Sequence, residues 1–517
     1  MADVREAFYR VLRHHGVKAV FGNPGSNELS FLTGLPADLP YYLALQEGAA
    51  IAMADGFAQA GGTTAFVNLH AASGTGNAMG CLTNAAASHT PMVVLAGQQA
   101  RRYVPVEAML TNTDPTKLAD PLVKWSGEPL RPQDGPALLS TALLLARSSP
   151  RGVVYLSVPL DDWGQPADEP ALTHLLDRSV DGVSLVHDLD SVVTALNEAS
   201  SPVLVLGPGA DTEAGFEAAV ALADKIGLPV WTAPSAPRAP FPTRHPGYQG
   251  VLPSGVGAVA EKLQGHDVVL CVGAPVFRYH APSQADFLPS GVRLYAVTDD
   301  PAEAARAPMG VFLVGDPTDA LVRLVAMVGR SDRPLPRSHF LPEAEPFTAE
   351  AILDAVDQGK PANAMIAFEW TSADLLRDRL TITRPKSLFY PAAGGLGWGL
   401  PAAIGLSLGR PDRPVIALIG DGAMHYTPAA LWTAARHHVP VTFVICANHR
   451  YRALEEFADL MEVPHGDYLD IGGIDPLAVA RGYGLETHHA DTLKDLTEFV
   501  HEGAHAEEPR LVLVDQR

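Results

Sequence analysis

Two polar residues in the C-terminal third of the chain could bind a metal ion. Asp421 follows an apolar run and lies within Gly420-Asp421-Gly422, and Asn448 follows the next apolar run 27 positions later. A right-handed β-α-β unit, with its helix near residues 428–437, would bring both to one edge of a parallel sheet. Carboxylate and amide oxygens suit Mg²⁺, which can also hold diphosphate oxygens. The alternative is that Asp421 merely caps a helix and Asn448 lies in a turn.

Three further polar residues occupy similar positions in the first 75 residues. Ser26 follows an apolar run and a Pro-Gly turn, where we expect a helix to begin. Glu47 opens a predicted helix made largely of Ala, Ile, Met and Gly, and His70 ends an apolar run before a predicted loop of small residues. Each has an ordinary structural explanation, as a helix cap, a first-turn acid or a satisfied strand-end residue. Together they predict an active site, because parallel sheets bind ligands at this edge.

The elements that must position these residues are short apolar runs alternating with helical stretches. Such runs, separated by helices, predict parallel sheets that are buried on both faces. We therefore predict an α/β fold with three doubly wound domains. Polar, Pro-containing stretches at 161–177 and 331–346 suggest linkers. The predicted domains are a pyrimidine-binding N-terminal domain, a middle Rossmann-like domain and a diphosphate-binding C-terminal domain, at residues 1–165, 180–330 and 345–517.

The composition limits the classes of partner. The chain has 517 residues with 37 Lys and Arg against 58 Asp and Glu, a formal net charge of −21. Because phosphate backbones and anionic lipids attract Lys and Arg, we expect no nucleic acid and no membrane as partner. Three cysteines far apart, with no CxxC pair, and an amphipathic, charged N-terminus predict a cytoplasmic protein without disulfides. Any diphosphate must then be held locally, by a metal ion and backbone amides.

Several segments resemble a known family. The strand-GDG-helix-strand-Asn arrangement around Asp421 resembles the signature of thiamine diphosphate (ThDP) enzymes. FGNPGSNEL, GTGNAMG, GAPVFRYH and AAGGLG resemble the benzoylformate decarboxylases among the ThDP-dependent 2-oxo acid decarboxylases, and the resemblance covers nearly the whole chain. The chain departs from the family pattern at Ala447, His449 and Arg450, where Asn-Asn and a small residue are usual, and at Ala423, which lacks a hydroxyl.

The resemblance implies a role for individual residues. Glu47 would hydrogen-bond the cofactor's aminopyrimidine, Ser26 would bind the substrate carboxylate, and His70 and His280 would transfer protons. The implied metal ligands for Mg²⁺ (or Ca²⁺) are Asp421, Asn448 and the backbone carbonyl of Arg450. The implied cofactor contacts are Gly394, Leu396, Thr371, Ser372, Gly420, Gly422 and Tyr451. The implied substrate pocket comprises Met109, Leu110, Tyr390, Ala453, Leu454 and Phe457.

The resemblance also implies a reaction and an assembly. The expected activity is non-oxidative decarboxylation of an aromatic 2-oxo acid, benzoylformate to benzaldehyde and CO₂ through a ThDP enamine, with a place in the mandelate pathway. Because the family builds its site from two subunits, we expect a homodimer at least and a homotetramer commonly. Two alternatives stay open. Tyr390 and Met109 allow a related decarboxylase or carboligase with a different substrate, and His449 and Arg450 allow a ThDP-fold paralogue with impaired cofactor binding.

Overall fold

Three six-stranded parallel sheets form the framework of the protein. The structure, a computed structural model, describes residues 2–178, 185–275, 280, 284–336, 343–370 and 378–517. Every pair of neighbouring strands in the three sheets is parallel, and helices connect most of the strands. The prediction of three doubly wound α/β domains is confirmed. No helix within the described ranges has both the length and the apolar character needed to cross a membrane.

The first sheet positions Ser26, Glu47 and His70, which lie beyond its strands. Its strand order is β2-β1-β3-β4-β6-β5. The strands are β1 (Val20–Asn23), β2 (Tyr41–Leu43), β3 (Ala65–Leu69), β4 (Met92–Gln98), β5 (Trp125–Gly127) and β6 (Val153–Pro159). The helices are α1 (Val4–His14), α2 (Leu29–Leu32), α3 (Glu47–Gly61), α4 (Ala71–Ala87), α5 (Gly135–Arg147) and α6 (Glu169–Leu176).

The middle sheet has the order β12-β11-β10-β7-β8-β9 and encloses a core of its own. The strands are β7 (Pro202–Leu206), β8 (Val230–Thr232), β9 (Tyr248–Val251), β10 (Val268–Val272), β11 (Arg293–Thr298) and β12 (Val311–Val314). The helices are α7 (Asp190–Glu198), α8 (Glu213–Ile226), α9 (Val256–Lys262), α10 (Pro301–Arg306) and α11 (Pro317–Met327).

The third sheet has the order β14-β13-β15-β16-β18-β17 and carries Asp421 and Asn448 at its carboxyl edge. The strands are β13 (Met365–Glu369), β14 (Leu388–Phe389), β15 (Val415–Gly420), β16 (Thr442–Ala447), β17 (Glu486–His489) and β18 (Arg510–Asp515). The helices are α12 (Ala349–Gly359), α13 (Gly399–Gly409), α14 (Asp421–Met424), α15 (Ala430–Arg436), α16 (Arg452–Leu460), α17 (Pro476–Gly482) and α18 (Leu493–Gly503).

Helices α3 and α13 join the first and third sheets through one continuous core. Both helices are rich in Ala and Gly and almost wholly buried, which lets their backbones approach closely. A Cβ atom added to Gly56 would collide with the carbonyl oxygen of Ala402, and one added to Gly405 would collide with that of Met53. The small residues of these helices therefore set the spacing between the two sheets.

Several local predictions differ from the structure. The expected loop of small residues after His70 is the helix α4, since Ala-rich sequence favours a helix once it packs. Ser26 lies in a turn three residues before α2, and the N-cap position is that of Glu28. The stretch 161–177, expected as a linker, contains α6, whose Leu172 packs into the core of the first sheet. The division at residues 1–165, 180–330 and 345–517 stays a prediction.

Candidate active site

The carboxyl ends of β15 and β16 bring the predicted metal ligands side by side. Gly420 and Cys446 are register partners, so the residues that follow them emerge together. Asp421 is buried, and its two carboxylate oxygens accept hydrogen bonds from the backbone N–H groups of Gly422 at 3.0 Å and His449 at 2.8 Å. Two fixed oxygens on a buried carboxylate can still accept a cation, because each carboxylate oxygen has two lone pairs. The donor set is therefore suited to Mg²⁺.

Residues 448–450 supply two more oxygens that could bind the metal ion, one from a side chain and one from the backbone. The side-chain oxygen of Asn448 accepts a hydrogen bond from the backbone N–H of Arg450 at 3.1 Å. Among the described residues, the carbonyl oxygen of Arg450 accepts no hydrogen bond. Its guanidinium forms an ion pair with Glu455 of α16, at 2.6 Å. The side chain of Arg450 is thus tied to α16, while its backbone oxygen stays available as a ligand.

The backbone at His449 is unusual. Its φ is +57°, in the left-handed region that favours glycine, and its Nδ1 lies 3.7 Å from a carboxylate oxygen of Asp421. The predicted pocket residue Leu110 also has a positive φ, +72°, and so does Ala71, the residue after His70, with φ +42°. Backbone strain of this kind concentrates at functional sites. Positive φ also occurs at residues outside the predicted site, such as Ser235 and Glu462, so it does not by itself group these positions.

One glycine of the GDG turn leaves room for the ring of Tyr451. A Cβ atom on Gly422 would lie 2.8 Å from the Tyr451 ring, so only glycine fits beside that ring. A Cβ atom on Gly420 would have ordinary contacts. Thr371 and Ser372, predicted to contact the diphosphate, lie outside the described residues.

The turn before α13 carries Gly394 and Leu396. Gly394 has φ +72° and open space where a Cβ atom would be, and the Leu396 side chain is 39% exposed. Glu369, at the end of β13, accepts hydrogen bonds from the backbone N–H groups of three successive residues, Gly397, Trp398 and Gly399. Complete burial raises the pKa of Glu369 to about 7, against the opposing effect of these donors.

Glu47 occupies the first turn of α3 and is almost completely buried. Its two oxygens accept hydrogen bonds from side-chain amides, one from Asn23 at 3.3 Å and one from Asn77 of α4 at 3.1 Å. Neutral amide donors fix the orientation of a carboxylate, but unlike Lys or Arg they add no positive charge beside it. Glu47 is thus held ready to exchange a proton with a bound group.

His70 is oriented by a buried carboxylate that the sequence reasoning did not single out. Its Nδ1 lies 2.9 Å from an oxygen of Glu28, which is 2% exposed. The two Glu28 oxygens also accept backbone N–H groups, from Gly25 at 2.8 Å and Gly97 at 2.9 Å. Because Nδ1 of His70 faces Glu28, Nε2 is the ring nitrogen that lies outside this contact. Ser26, two residues before Glu28, is exposed on the same turn.

His280 of the middle domain reaches the third domain. Its ring lies 4.5 Å, centre to centre, from the ring of Phe457 on α16, and its backbone N–H donates to the carbonyl of Ser254. The structure thus brings together one predicted proton-transfer residue and one predicted pocket residue. Ala453 and Leu454 lie on the same helix and are exposed. The ring of Tyr390 lies 6.2 Å from that of Phe368, near the end of β13.

Two separate groups of predicted residues exist within a single chain. Ser26, Glu47 and His70 lie at the edge of the first sheet, and Asp421 and Asn448 lie at the edge of the third. No hydrogen bond or ion pair joins the two groups within the parts of the chain that the structure describes. Met109, on the first domain, is 84% exposed.

The sequence reasoning missed four residues that support these groups: Glu28, Asn23, Asn77 and Glu369. Glu28 and Asn23 stand beside Ser26 in the FGNPGSNE segment, so their position offered a signal. Asn77 lies 30 positions from Glu47, and its role required knowledge of how α3 and α4 pack.

Comparison with known proteins identifies the family. Residues 2–118, 189–324 and 375–515 match, respectively, the N-terminal TPP binding domain, the central domain and the C-terminal TPP binding domain of thiamine pyrophosphate enzymes. The benzoylformate decarboxylase of Pseudomonas aeruginosa is 49% identical over 523 residues, covering 99% of each chain. The chain belongs to the benzoylformate decarboxylase family.

Solved structures of this family superpose closely on the chain. A ThDP-dependent 4-hydroxybenzoylformate decarboxylase from Rhodococcus jostii matches with a TM-score of 0.97 and 45% identity, over 100% of this chain and 99% of that one. The benzoylformate decarboxylase from Polynucleobacter necessarius matches with a TM-score of 0.95 and 34% identity, over the same shares. The family resemblance seen in the sequence is confirmed.

Proposed function

We propose that this protein is a ThDP-dependent carboxy-lyase that converts benzoylformate to benzaldehyde and CO₂. The contact between His280 and Phe457 carries the assignment, because it sets a proton-transfer group against an aromatic ring that an aryl substrate can contact. The near full-length similarity to benzoylformate decarboxylase supports the same conclusion. Since mandelate oxidation yields benzoylformate, we also propose a role in the mandelate pathway.

The residues present fit the cofactor and its metal ion. We propose that Asp421, Asn448 and the carbonyl of Arg450 hold Mg²⁺ (or Ca²⁺), because they offer three oxygens at one sheet edge. Gly420, Gly422 and Tyr451 border the place expected for the diphosphate, and the family resemblance adds Thr371 and Ser372 as proposed contacts. Gly394 and Leu396 border the place expected for the rings.

When bound, ThDP supplies a nucleophilic carbon and an electron sink for the pair of electrons that CO₂ leaves behind. Glu47 holds a proton at the pyrimidine nitrogen, with its carboxyl group fixed by Asn23 and Asn77. The Ser26 hydroxyl donates a hydrogen bond to the substrate carboxylate. Nε2 of His70 and the ring of His280 hold and deliver protons as the substrate is bound and the aldehyde leaves.

We propose that the substrate's aryl group lies among apolar side chains from the first and third domains. These are Met109, Leu110, Tyr390, Ala453, Leu454 and Phe457. The steady-state kcat/KM for benzoylformate should exceed those for pyruvate and phenylpyruvate. 4-Hydroxybenzoylformate belongs in the same comparison, because the Rhodococcus jostii enzyme is named for it. A preference for pyruvate would refute the aryl assignment.

We further propose a homodimer at least, and a homotetramer as the complete assembly, in which Glu47 of one chain faces Asp421 of another. Apolar side chains exposed on the first and third domains support an interface between subunits. Val106 is 71% exposed and Leu454 is 54% exposed. Two inactive variants, Glu47→Gln and Asp421→Ala, test this when they are mixed and allowed to exchange subunits. Recovery of about a quarter of wild-type activity is expected, since a mixed dimer has one intact site. No recovery despite subunit exchange would contradict a shared site.

A cytoplasmic location is proposed as well. Cys81, Cys271 and Cys446 are buried and unpaired, which suits a reducing compartment. Cell fractionation with antibody detection tests it, and recovery in a secreted fraction would contradict it.

A further inference from the structure

The turn at residues 393–399 is held by a side chain from the first domain. Asn84 of α4 is fully buried, and its side-chain oxygen accepts hydrogen bonds from the backbone N–H groups of Ala393 at 3.0 Å and Gly395 at 3.3 Å. Its side-chain NH₂ group donates to the carbonyl of Gly395 at 2.8 Å. One amide side chain thus satisfies three backbone groups of a turn that lies more than 300 positions away in sequence.

The other end of the turn is held largely from within the third domain, although the indole N–H of Trp398 also donates to Asp55 of α3 at 2.7 Å. Glu369 accepts the three backbone N–H groups of residues 397–399, and the Thr427 hydroxyl donates to the carbonyl of Gly397 at 2.8 Å. Gly394 and Leu396 lie in the first half of the turn, beside the Asn84 contacts. Glu369 holds residues 397–399, which lead into α13. Asn84 holds Ala393 and Gly395, on either side of the predicted cofactor contact Gly394.

The same helix also supports the other half of the site. Asn77 and Asn84 are seven residues apart on α4, which places them on one face of the helix. Asn77 donates to Glu47, as Asn84 does to Gly395. The contact of Asn77 with Glu47 and that of Asn84 with Gly395 therefore both fix the position of α4.

We infer that Asn84 is a positioning residue that holds the turn bearing Gly394 and Leu396 in its cofactor-binding shape before the cofactor arrives. This inference rests on the proposed function, because it assigns the turn to the binding of ThDP. Pre-organisation of this kind lowers the ordering cost of binding. Loss of Asn84 should weaken cofactor binding more than it weakens folding.

Calorimetric titration of the full-length apoprotein with ThDP in the presence of Mg²⁺ tests the inference. For Asn84→Ala we expect the dissociation constant of ThDP to rise about tenfold, since three backbone groups lose their partner. Asn197→Ala is the matched control, because Asn197 likewise accepts a backbone N–H, that of Gly329, but in the middle domain. A dissociation constant within twofold of wild type for Asn84→Ala would overturn the inference.

A double-mutant cycle separates positioning from general destabilisation. If Asn84 acts through the turn, its replacement should matter less once Leu396 is already Ala, because the two losses are then coupled. The tenfold effect of Asn84→Ala should therefore shrink to about threefold or less in the Leu396→Ala background. The same factor in both backgrounds would show that Asn84 acts elsewhere.

Hydrogen exchange of the turn gives a reading that requires neither activity nor cofactor. In the apoprotein, peptides that cover residues 393–399 should exchange faster in Asn84→Ala than in wild type, and equal rates would overturn the inference. If Asn84→Ala does not fold, Asn84→Asp keeps an acceptor oxygen and replaces the NH₂ donor to Gly395 with the second oxygen of a buried carboxyl group, so the same comparison of exchange rates applies. A wild-type protein that binds ThDP without converting benzoylformate would contradict the proposed substrate and leave this comparison intact.

Discussion

Glu369 provides a sharp test of how burial and hydrogen bonding compete within this fold. Burial raises its pKa from 4.5 to about 7, although three backbone N–H groups donate to it. The folded protein therefore holds this proton more tightly than the unfolded chain. The stability that this group contributes is present below pH 4.5 and is lost as the pH rises through about 7.

Glu369→Gln removes the titrating proton and keeps most of the side-chain volume. The rise in pKa from 4.5 to about 7 corresponds to about 3 kcal/mol, so the stability of the variant relative to wild type should rise by that amount as the pH rises from 4.5 to 7.5. If the 517 residues unfold as one unit, this equals a relative gain of about 3 °C in Tm.

Differential scanning calorimetry of the apoproteins between pH 4.5 and 8, at matched concentration, measures this difference. Glu217→Gln, on the exposed face of α8, corrects for the loss of one charge. A Tm difference that is constant across this range, or that falls with rising pH, would refute the reasoning. It would mean that the three donors outweigh burial and hold the carboxylate ionised.

Three more substitutions test the site and its framework. Glu47→Gln should lower kcat at least 100-fold without loss of the fold, because the amide cannot exchange the proton. Glu28→Gln should lower kcat about 10-fold or more, because it weakens the contact that orients the His70 ring. Gly405→Ala should cost about 3 kcal/mol of stability, because its Cβ atom would collide with the carbonyl of Met53. Benzaldehyde formation and thermal unfolding measure these effects.

Each of these expectations has an opposing outcome. Near-normal turnover in Glu47→Gln would remove that residue from proton transfer. An unchanged kcat in Glu28→Gln would show that its carboxylate does not position His70. A Tm equal to wild type for Gly405→Ala would show that α3 and α13 can separate without cost.

The strand pattern was readable because parallel sheets bury continuous apolar runs. The strands β7 and β10 are continuous apolar runs in the sequence, and β15 and β16 end directly before Asp421 and Asn448, as predicted. Helix bounds were less accurate. The helix expected at 428–437 is Ala430–Arg436, preceded by the one-turn helix at Asp421, because GDG leads directly from strand to helix.

The supporting contacts of the site could not be read from the sequence. Glu28 and His70 are 42 positions apart, and Asn84 and Gly395 are 311 apart, so only the packing of the sheets and helices reveals them. The consequence of His449 and Arg450 was also open, since both side chains could have faced the diphosphate. The ion pair with Glu455 shows that the Arg450 side chain contacts α16.

Reconstitution of the apoprotein tests the central claim most directly. With benzoylformate as substrate, the account predicts equimolar benzaldehyde and CO₂ only when both ThDP and Mg²⁺ are added. Turnover without ThDP, or binding of ThDP and Mg²⁺ with no benzaldehyde formed, would contradict the proposed decarboxylase activity.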